Sequence, residues 1–273
     1  MRSTQAAGTA EIATVLARQD APLLAVSNLT KEFGGVHAIE GLSFDVSAGH
    51  IHSLIGPNGA GKTTLFNLIT GVYTPTGGRV LFDGAATAGK SPAQLAARGM
   101  SRTFQNLQIF FNMTALENVM VGRHRHLDGR LLPALLRFPA MVRRDAEARD
   151  RAAALMAQVG LAKYVDADAS SMPYGALKRL EIARALASEP TLLLLDEPAA
   201  GLNATESREI DEVIRVVAAS GITVVLVEHD MKMVMGISDR ILALNYGRKL
   251  AEGTPAEIAA HPDVIAAYLG TTH

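Results

Sequence analysis

The stretch Gly56-Pro57-Asn58-Gly59-Ala60-Gly61-Lys62-Thr63-Thr64 constrains this chain more than any other. Its spacing is G-x-x-x-x-G-K-[ST]. In such a loop the glycines let several backbone N–H groups turn towards one anion. A helix opening at about Gly61 aims the positive end of its dipole at the same point. Lys62 then reaches the β- and γ-phosphates of a nucleotide, and the Thr63 hydroxyl ligates Mg²⁺. A chance glycine-rich turn would lack the right neighbours. Here an apolar run, 51–55, enters the loop, and Leu65, Phe66, Leu68 and Ile69 follow it at helical spacing. Strand, loop and helix in that order predict a nucleotide-binding α/β fold.

The chain has 273 residues, 48% of them hydrophobic, enough for one large α/β domain or a domain with a lobe. Lys plus Arg is 26 and Asp plus Glu is 27, a net charge of −1, so no global nucleic-acid footprint is present. There is no cysteine, which excludes disulfides, thiolate metal sites and cysteine nucleophiles and fits a reducing compartment. No apolar run approaches the ~20 residues of a membrane helix. Residues 1–22 are Ala/Thr/Gln-rich without the apolar segment of a signal peptide, and read as a mostly disordered cytoplasmic extension.

Further along, 24–26 and 44–46 read as strands flanking Phe33-Gly34-Gly35, where the ring is either a core aromatic at a turn or a platform for a base. A strand over 79–82 ends at Asp83-Gly84. Ser91-Pro92 opens a short helix that Gly99 closes. Residues 101–106 read as a strand ending on Gln105 and Asn106. Thr114-x-x-Glu117 is a capping box, and 143–159 one long helix stopped by Gly160. The arginines Arg123, Arg125, Arg130, Arg137, Arg143 and Arg144 read as a solvated face, with anionic lipid as the alternative. Residues 172–175 read as a loop before a helix over 176–186. Residues 191–198 form a continuous apolar strand ending in Asp196-Glu197, the composition of a strand buried on both faces of a parallel sheet. A helix over 205–219 precedes a strand over 223–227 that ends in Glu228-His229-Asp230. A hairpin around Tyr246-Gly247 and a second capping box at Thr254 complete the pattern.

The carboxylates therefore lie where α/β folds bind ligands, at strand carboxyl ends. Phosphoryl transfer needs a held cation, an aimed water and neutralised charge. Asp196 suits the Mg²⁺ held by Thr63, directly or through water. Glu197 suits polarisation of the attacking water. His229, ending a neighbouring strand, suits a γ-phosphate contact. Gln105 suits Mg²⁺ ligation or water positioning.

Taken in order, these residues resemble the ATP-binding cassette of ABC transporters over residues 23–270, with 271–273 as a tail. The resemblance implies an α/β P-loop NTPase (RecA-like) core with an antiparallel β subdomain and an inserted α-helical subdomain, about 107–187. It places Gly56, Pro57, Asn58, Gly59, Ala60, Gly61, Lys62, Thr63 and Thr64 at Walker A, Gln105 at the Q-loop and residues 192–197 at Walker B plus catalytic glutamate. Residues 199–203 fall at the D-loop, His229 at the switch histidine and Phe33 at the base-stacking aromatic. Thr63, Gln105 and Asp196 are the implied Mg²⁺ ligands. The signature motif departs from L-S-G-G-Q: here it reads Met172-Pro173-Tyr174-Gly175-Ala176. Pro173 replaces the serine and Ala176 the glutamine, while Gly175 keeps a backbone N–H for nucleotide. In this family each ATP lies between the Walker A of one subunit and the signature of the other. A weakened signature beside an intact Walker A fits a heterodimer with unequal sites.

The stretches 102–106, 173–175, 196–203, 228–231, 235–240 and 267–270 resemble the LivG-type subunit of branched-chain amino acid importers. That resemblance implies a LivF-type partner ATPase or a self-dimer, two membrane permeases, a periplasmic binding protein and a peripheral place on the cytoplasmic membrane face. The Gln105 region and residues 107–171 would grip a permease coupling helix. The implied cargo is a branched-chain or other hydrophobic amino acid or a related amide. The alternatives are the ATPase of a lipopolysaccharide exporter and a soluble cassette acting on ribosomes or DNA.

Overall fold

The computed structural model describes residues 21–123 and 139–269. The 1–22 extension falls almost wholly outside the described residues, as do Arg125, Arg130, Arg137, the side chain of Arg144 and residues 270–273. One sheet is antiparallel. It comprises β1 (Leu24–Phe33), β2 (Val36–Val46), β4 (Gly77–Phe82) and β5 (Ala85–Ala86), in the order β2-β1-β4-β5. β1 and β2 are much longer than the short strands expected at 24–26 and 44–46. Register shifts between Val26 and Glu32 break the period-two alternation that marks a strand in sequence. The two strands turn at Gly34 and Gly35, with φ of 53° and 86°, a left-handed pair that suits the strand twist of a hairpin.

The second sheet comprises β3 (Ile51–Ile55), β6 (Met100–Arg102), β7 (Leu192–Asp196), β8 (Thr223–Val227), β9 (Arg240–Asn245) and β10 (Arg248–Gly253). Its order is β10-β9-β3-β8-β7-β6, with only β10 antiparallel to its neighbour. Every residue of β3, β7 and β8 is buried, His52 and Ser53 of β3 included, as central strands of a sheet covered on both faces must be. Leu54 and Asp196 both pair with Val227, so the phosphate loop, the two carboxylates and the His229 segment leave the sheet at one edge.

β6 ends at Arg102. The strand expected through 106 stops early, because the Thr103 N–H makes one more bond to Leu194 (2.9 Å) and the chain then turns away. Nine helices are described: α1 (Lys62–Ile69), α2 (Pro92–Ala97), α3 (Ala115–Gly122), α4 (Pro139–Gln158), α5 (Tyr174–Leu186), α6 (Ala204–Ala219), α7 (Met231–Ile237), α8 (Pro255–Ala259) and α9 (Pro262–Leu269). The capping boxes at Thr114 and Thr254 form as their spacing predicts. Ser91 and Asn203 form two more, with Gln94 and Glu206. α3, α4 and α5 share a core that includes Val119, Ala152, Met156 and Leu180.

Two local expectations are corrected. α5 begins at Tyr174 rather than Ala176: Pro173 serves as its N-cap, and the proline carbonyl accepts from the Leu177 N–H (3.0 Å). A proline at a helix start gives up only an N–H that no helical partner would have satisfied. Arg123 belongs to no solvated face. It is buried and donates to Glu189 (3.1 Å), while Arg143 is exposed. No helix among the described residues is long and apolar enough to cross a membrane.

Candidate active site

β3 delivers Gly56 to the loop with its backbone pressed against β9. A Cβ there would lie 2.5 Å from the Leu244 carbonyl oxygen, so only glycine lets the loop start so close to the sheet. Gly61, at φ 101°, caps α1. Lys62 is buried and donates to the carbonyls of Gly56 (2.6 Å) and Pro57 (3.1 Å). It makes no ion pair among the described residues. Burial pushes its amine below the usual lysine range, against the pull of Glu197 and Asp196. A desolvated ammonium held only by carbonyls, beside a helix N-terminus, is suited to a phosphate. Thr63 is exposed on the first turn of α1. From the C-terminal end of the chain, Tyr268 of α9 meets the backbone N–H of Gly56. Burial raises its phenol, and that N–H opposes the rise.

Asp196 and Glu197 diverge although adjacent. Asp196 completes β7 and is buried, its Oδ2 2.8 Å from Arg102 Nη2. Glu197 takes φ 50°, which turns the chain out of the strand, and its N–H bonds to the Val227 carbonyl (2.9 Å). Its Oε2 accepts from Gln105 Nε2 at 3.0 Å. The two residues expected to handle water thus meet, although they are 92 positions apart. Gln105 reaches Glu197 from a loop, not from a strand end.

His229 is largely exposed beyond β8. Its N–H donates to Glu228 Oε2 (3.0 Å), and the same buried carboxylate accepts from the Ala199 N–H through Oε1 (2.9 Å). Glu228 therefore ties the 199–203 loop to the histidine. Phe33 is about half exposed and meets Tyr73 edge-on at 5.3 Å, with Lys31 Nζ 4.8 Å from its ring. At the start of α5, Gly175 is buried against Glu206, where a Cβ would lie 2.7 Å from Oε1. The Tyr174 ring lies against Gly201.

Three residues with no role assigned from sequence stand out. Glu228 bridges two loops. Lys178 is buried under Tyr174 and donates to the Glu197 carbonyl (3.5 Å). Arg102 holds Asp196. Arg102 owes its place to the pairing of β6 with β7, which brings it opposite Leu194. Residues 100–102 are too short a run to announce that pairing by periodicity.

Among the described residues, no group of three or more His, Cys, Asp or Glu side chains could hold a metal. A divalent ion here would need phosphate oxygens and neutral oxygen donors. The Thr63 hydroxyl, an Asp196 oxygen and Gln105 Oε1 are hard donors of the kind Mg²⁺ takes, and Gln105 Nε2 is already spent on Glu197. The residues present fit that ion.

A phosphate loop, paired carboxylates, a glutamine loop and a terminal histidine on this two-sheet frame define an ATP-binding cassette. The ABC transporter family matches residues 39–200, and the branched-chain amino acid ATP-binding cassette transporter family matches 248–273. The chain is 48% identical over 250 residues to the high-affinity branched-chain amino acid transport ATP-binding protein LivG of Salmonella typhimurium, covering 91% of this chain and 98% of that one. It is 46% identical over 250 residues to BraF, the corresponding protein of Pseudomonas aeruginosa, at the same coverage. A nucleotide-free ATP-binding cassette from an ABC transporter superposes with a TM-score of 0.79 at 31% identity, over 92% of this chain and 100% of that one. This chain belongs to the ABC transporter ATPases, in the branch that contains LivG and BraF. Its chemistry is ATP hydrolysis coupled to transport.

Proposed function

We propose that this chain is the ATP-hydrolysing subunit of an importer for branched-chain or other hydrophobic amino acids or related amides. The observation that carries the catalytic part is the Gln105–Glu197 hydrogen bond at the edge where the phosphate loop and Asp196 also emerge. Loop N–H groups and Lys62 bind the nucleotide phosphates. Glu197 accepts the proton of the attacking water, and Gln105 fixes the carboxylate that does so. His229 contacts the γ-phosphate as the site closes. Thr63, Asp196 and Gln105 would hold Mg²⁺, which would supply positive charge to neutralise the phosphates. Phe33 supplies the base platform.

Gly175 offers its N–H to the nucleotide of a second cassette. With Pro173 and Ala176 in place of a hydroxyl and an amide, that offer is weak, and an unlike partner of LivF type is the better mate. An apolar groove lined by Phe104, Leu107, Ile109, Phe110 and Val121 supports docking of a permease helix on the cytoplasmic membrane face. Its wall is pinned by Asn118, which accepts from the Phe110 N–H (2.9 Å) and donates to the Phe110 carbonyl (3.0 Å). Two permeases and a periplasmic binding protein complete the assembly.

The test is to isolate the tagged chain from native membranes in mild detergent and identify its companions by mass spectrometry. The reading expects a second, different cassette and two multi-span permeases. Recovery with lipopolysaccharide-transport permeases, or with ribosomes or DNA-repair proteins and no permease, would overturn it.

A further inference from the structure

Arg102 lies where two parts of the molecule meet. Its guanidinium is almost fully buried, and its Nη2 lies 2.8 Å from Asp196 Oδ2. Nη1 donates to Asn67 Oδ1 (2.6 Å) and Thr70 Oγ1 (3.3 Å), both at the end of the helix that begins with Lys62 and Thr63. The cation also lies 5.4 Å from the centre of the Phe66 ring and 5.2 Å from that of Phe104. Its Nε is buried without a partner. A buried ion pair persists only when further hydrogen bonds and close contacts offset the lost hydration, and these contacts supply them.

The geometry of Asp196 gives the pair a consequence. Arg102 engages Oδ2, whereas Oδ1 accepts no hydrogen bond from the described residues. A carboxylate held by one oxygen cannot rotate freely, and its other oxygen keeps a fixed direction. Arg102 and Phe104 also line the apolar groove. Phe104 is exposed there, and its N–H faces Glu181 Oε1 at 3.5 Å. Gln105, the next residue, holds Glu197. A helix seated in the groove presses on Phe104, and Phe104 is in contact with the guanidinium that holds Asp196.

We infer that Arg102 is a positioning residue for the Asp196 carboxylate. It presents Oδ1 to the nucleotide-bound Mg²⁺ and links occupancy of the groove to that metal site through Phe104. The inference rests on the reading of Asp196 as a metal ligand. Its test separates the two ideas.

Binding of a fluorescent, non-hydrolysed ATP analogue to the purified full-length chain is measured in Mg²⁺ and again in excess EDTA. The ratio of the two affinities is the Mg²⁺-dependent part of binding. If the wild-type chain shows no such part, the metal reading of Asp196 fails, and the Arg102 inference with it. If the wild type shows one, Arg102→Gln is expected to reduce it about tenfold while the EDTA affinity stays within about twofold, since the charge-assisted bond that orients the metal-facing carboxylate is lost and the bonds lost with it, to Asn67 and Thr70, lie at the far end of the helix from the phosphate loop. Arg102→Lys keeps the charge without the fork and is expected to recover part of the ratio. Phe104→Ala leaves every guanidinium hydrogen bond in place and is expected to reduce the ratio two- to threefold. It decides the matter if Arg102→Gln does not fold. A purely structural role for Arg102 predicts lower thermal stability with an unchanged Mg²⁺-to-EDTA ratio in both Arg102→Gln and Phe104→Ala. That result overturns the inference.

Discussion

The edge of the sheet that carries the phosphate loop and the start of α5 make an instructive pair. At the sheet edge, functional side chains from distant parts of the chain engage one another: Gln105 with Glu197, Arg102 with Asp196, and Glu228 with both the 199–203 loop and the His229 segment. At α5, the signature segment offers no side chain of its own to a partner nucleotide except the exposed Tyr174 phenol. Pro173 has no donor at all, Ala176 is buried, and Gly175 contributes only backbone. The interactions of this segment run inward, from Tyr174 to Gly201, from Gly175 to Glu206 and from Lys178 to the Glu197 carbonyl. On the proposed function, the first region serves the chain's own nucleotide, and the second, anchored firmly but chemically reduced, suits a surface whose contribution to a shared site is secondary.

The largest effect expected at the sheet edge comes from Lys62→Ala. Removing a desolvated cation that has only carbonyls for company should weaken ATP binding roughly 10- to 100-fold in equilibrium dialysis. Unchanged affinity would break the assignment of the loop. At α5 the comparison predicts a gain. The substitution Pro173→Ser should raise ATP turnover of the chain on its own several-fold, because an exposed hydroxyl becomes available to a second copy. A flat response would mean that the signature face is not what limits a self-pair.

Two smaller perturbations show whether effects stay local. His52, on β3 well before the loop, is buried with its Nε2 unpartnered, and burial lowers its pKa to about 4, with Arg240 and His50 adding to the fall and Glu252 opposing it. Between the unfolded value near 6.5 and about 4, the unfolded chain binds a proton that the folded chain refuses. The stability present above that window is therefore lost as pH drops through it, by up to about 3 kcal/mol. His52→Phe should flatten this part of the stability–pH curve in denaturant titrations and leave ATP affinity at neutral pH unchanged. The smallest effect belongs to Tyr268→Phe, which removes one neutral contact to Gly56 and should weaken ATP binding about threefold.

The sheet edge was largely legible in the sequence because its elements obey strong local rules. Residues 192–195 and 224–227 are apolar without interruption, 51–55 are apolar at Ile51, Leu54 and Ile55 and run straight into the loop, and Gly61, Thr114 and Thr254 mark helix starts that physics makes hard to place elsewhere. The parts that escaped depend on partners far along the chain. β1 and β2 lose their alternation at register shifts, so only their ends looked like strands. β6 is three residues long and owes its existence to pairing with β7, which is why Arg102 carried no visible role. Arg123 looked like one more surface arginine because Glu189, the exposed carboxylate it pairs with, is 66 positions away. Pro173 read as part of a loop and is a helix cap, since a proline's fixed φ suits a helix start as well as a loop.

The claim that Glu197 is the base at the nucleotide held by this chain's own phosphate loop is tested most directly in the membrane complex isolated through it. Glu197→Gln is introduced into this subunit, and bound ATP and steady-state hydrolysis are measured on the same sample. Loss of a positioned general base should lower turnover at this site by roughly 100-fold or more. ATP occupancy should stay at the wild-type level, because the loop and Lys62 are untouched. Near-normal turnover at this site, with ATP still bound, would contradict the account, since the carboxylate that Gln105 holds would then not be the one that activates water.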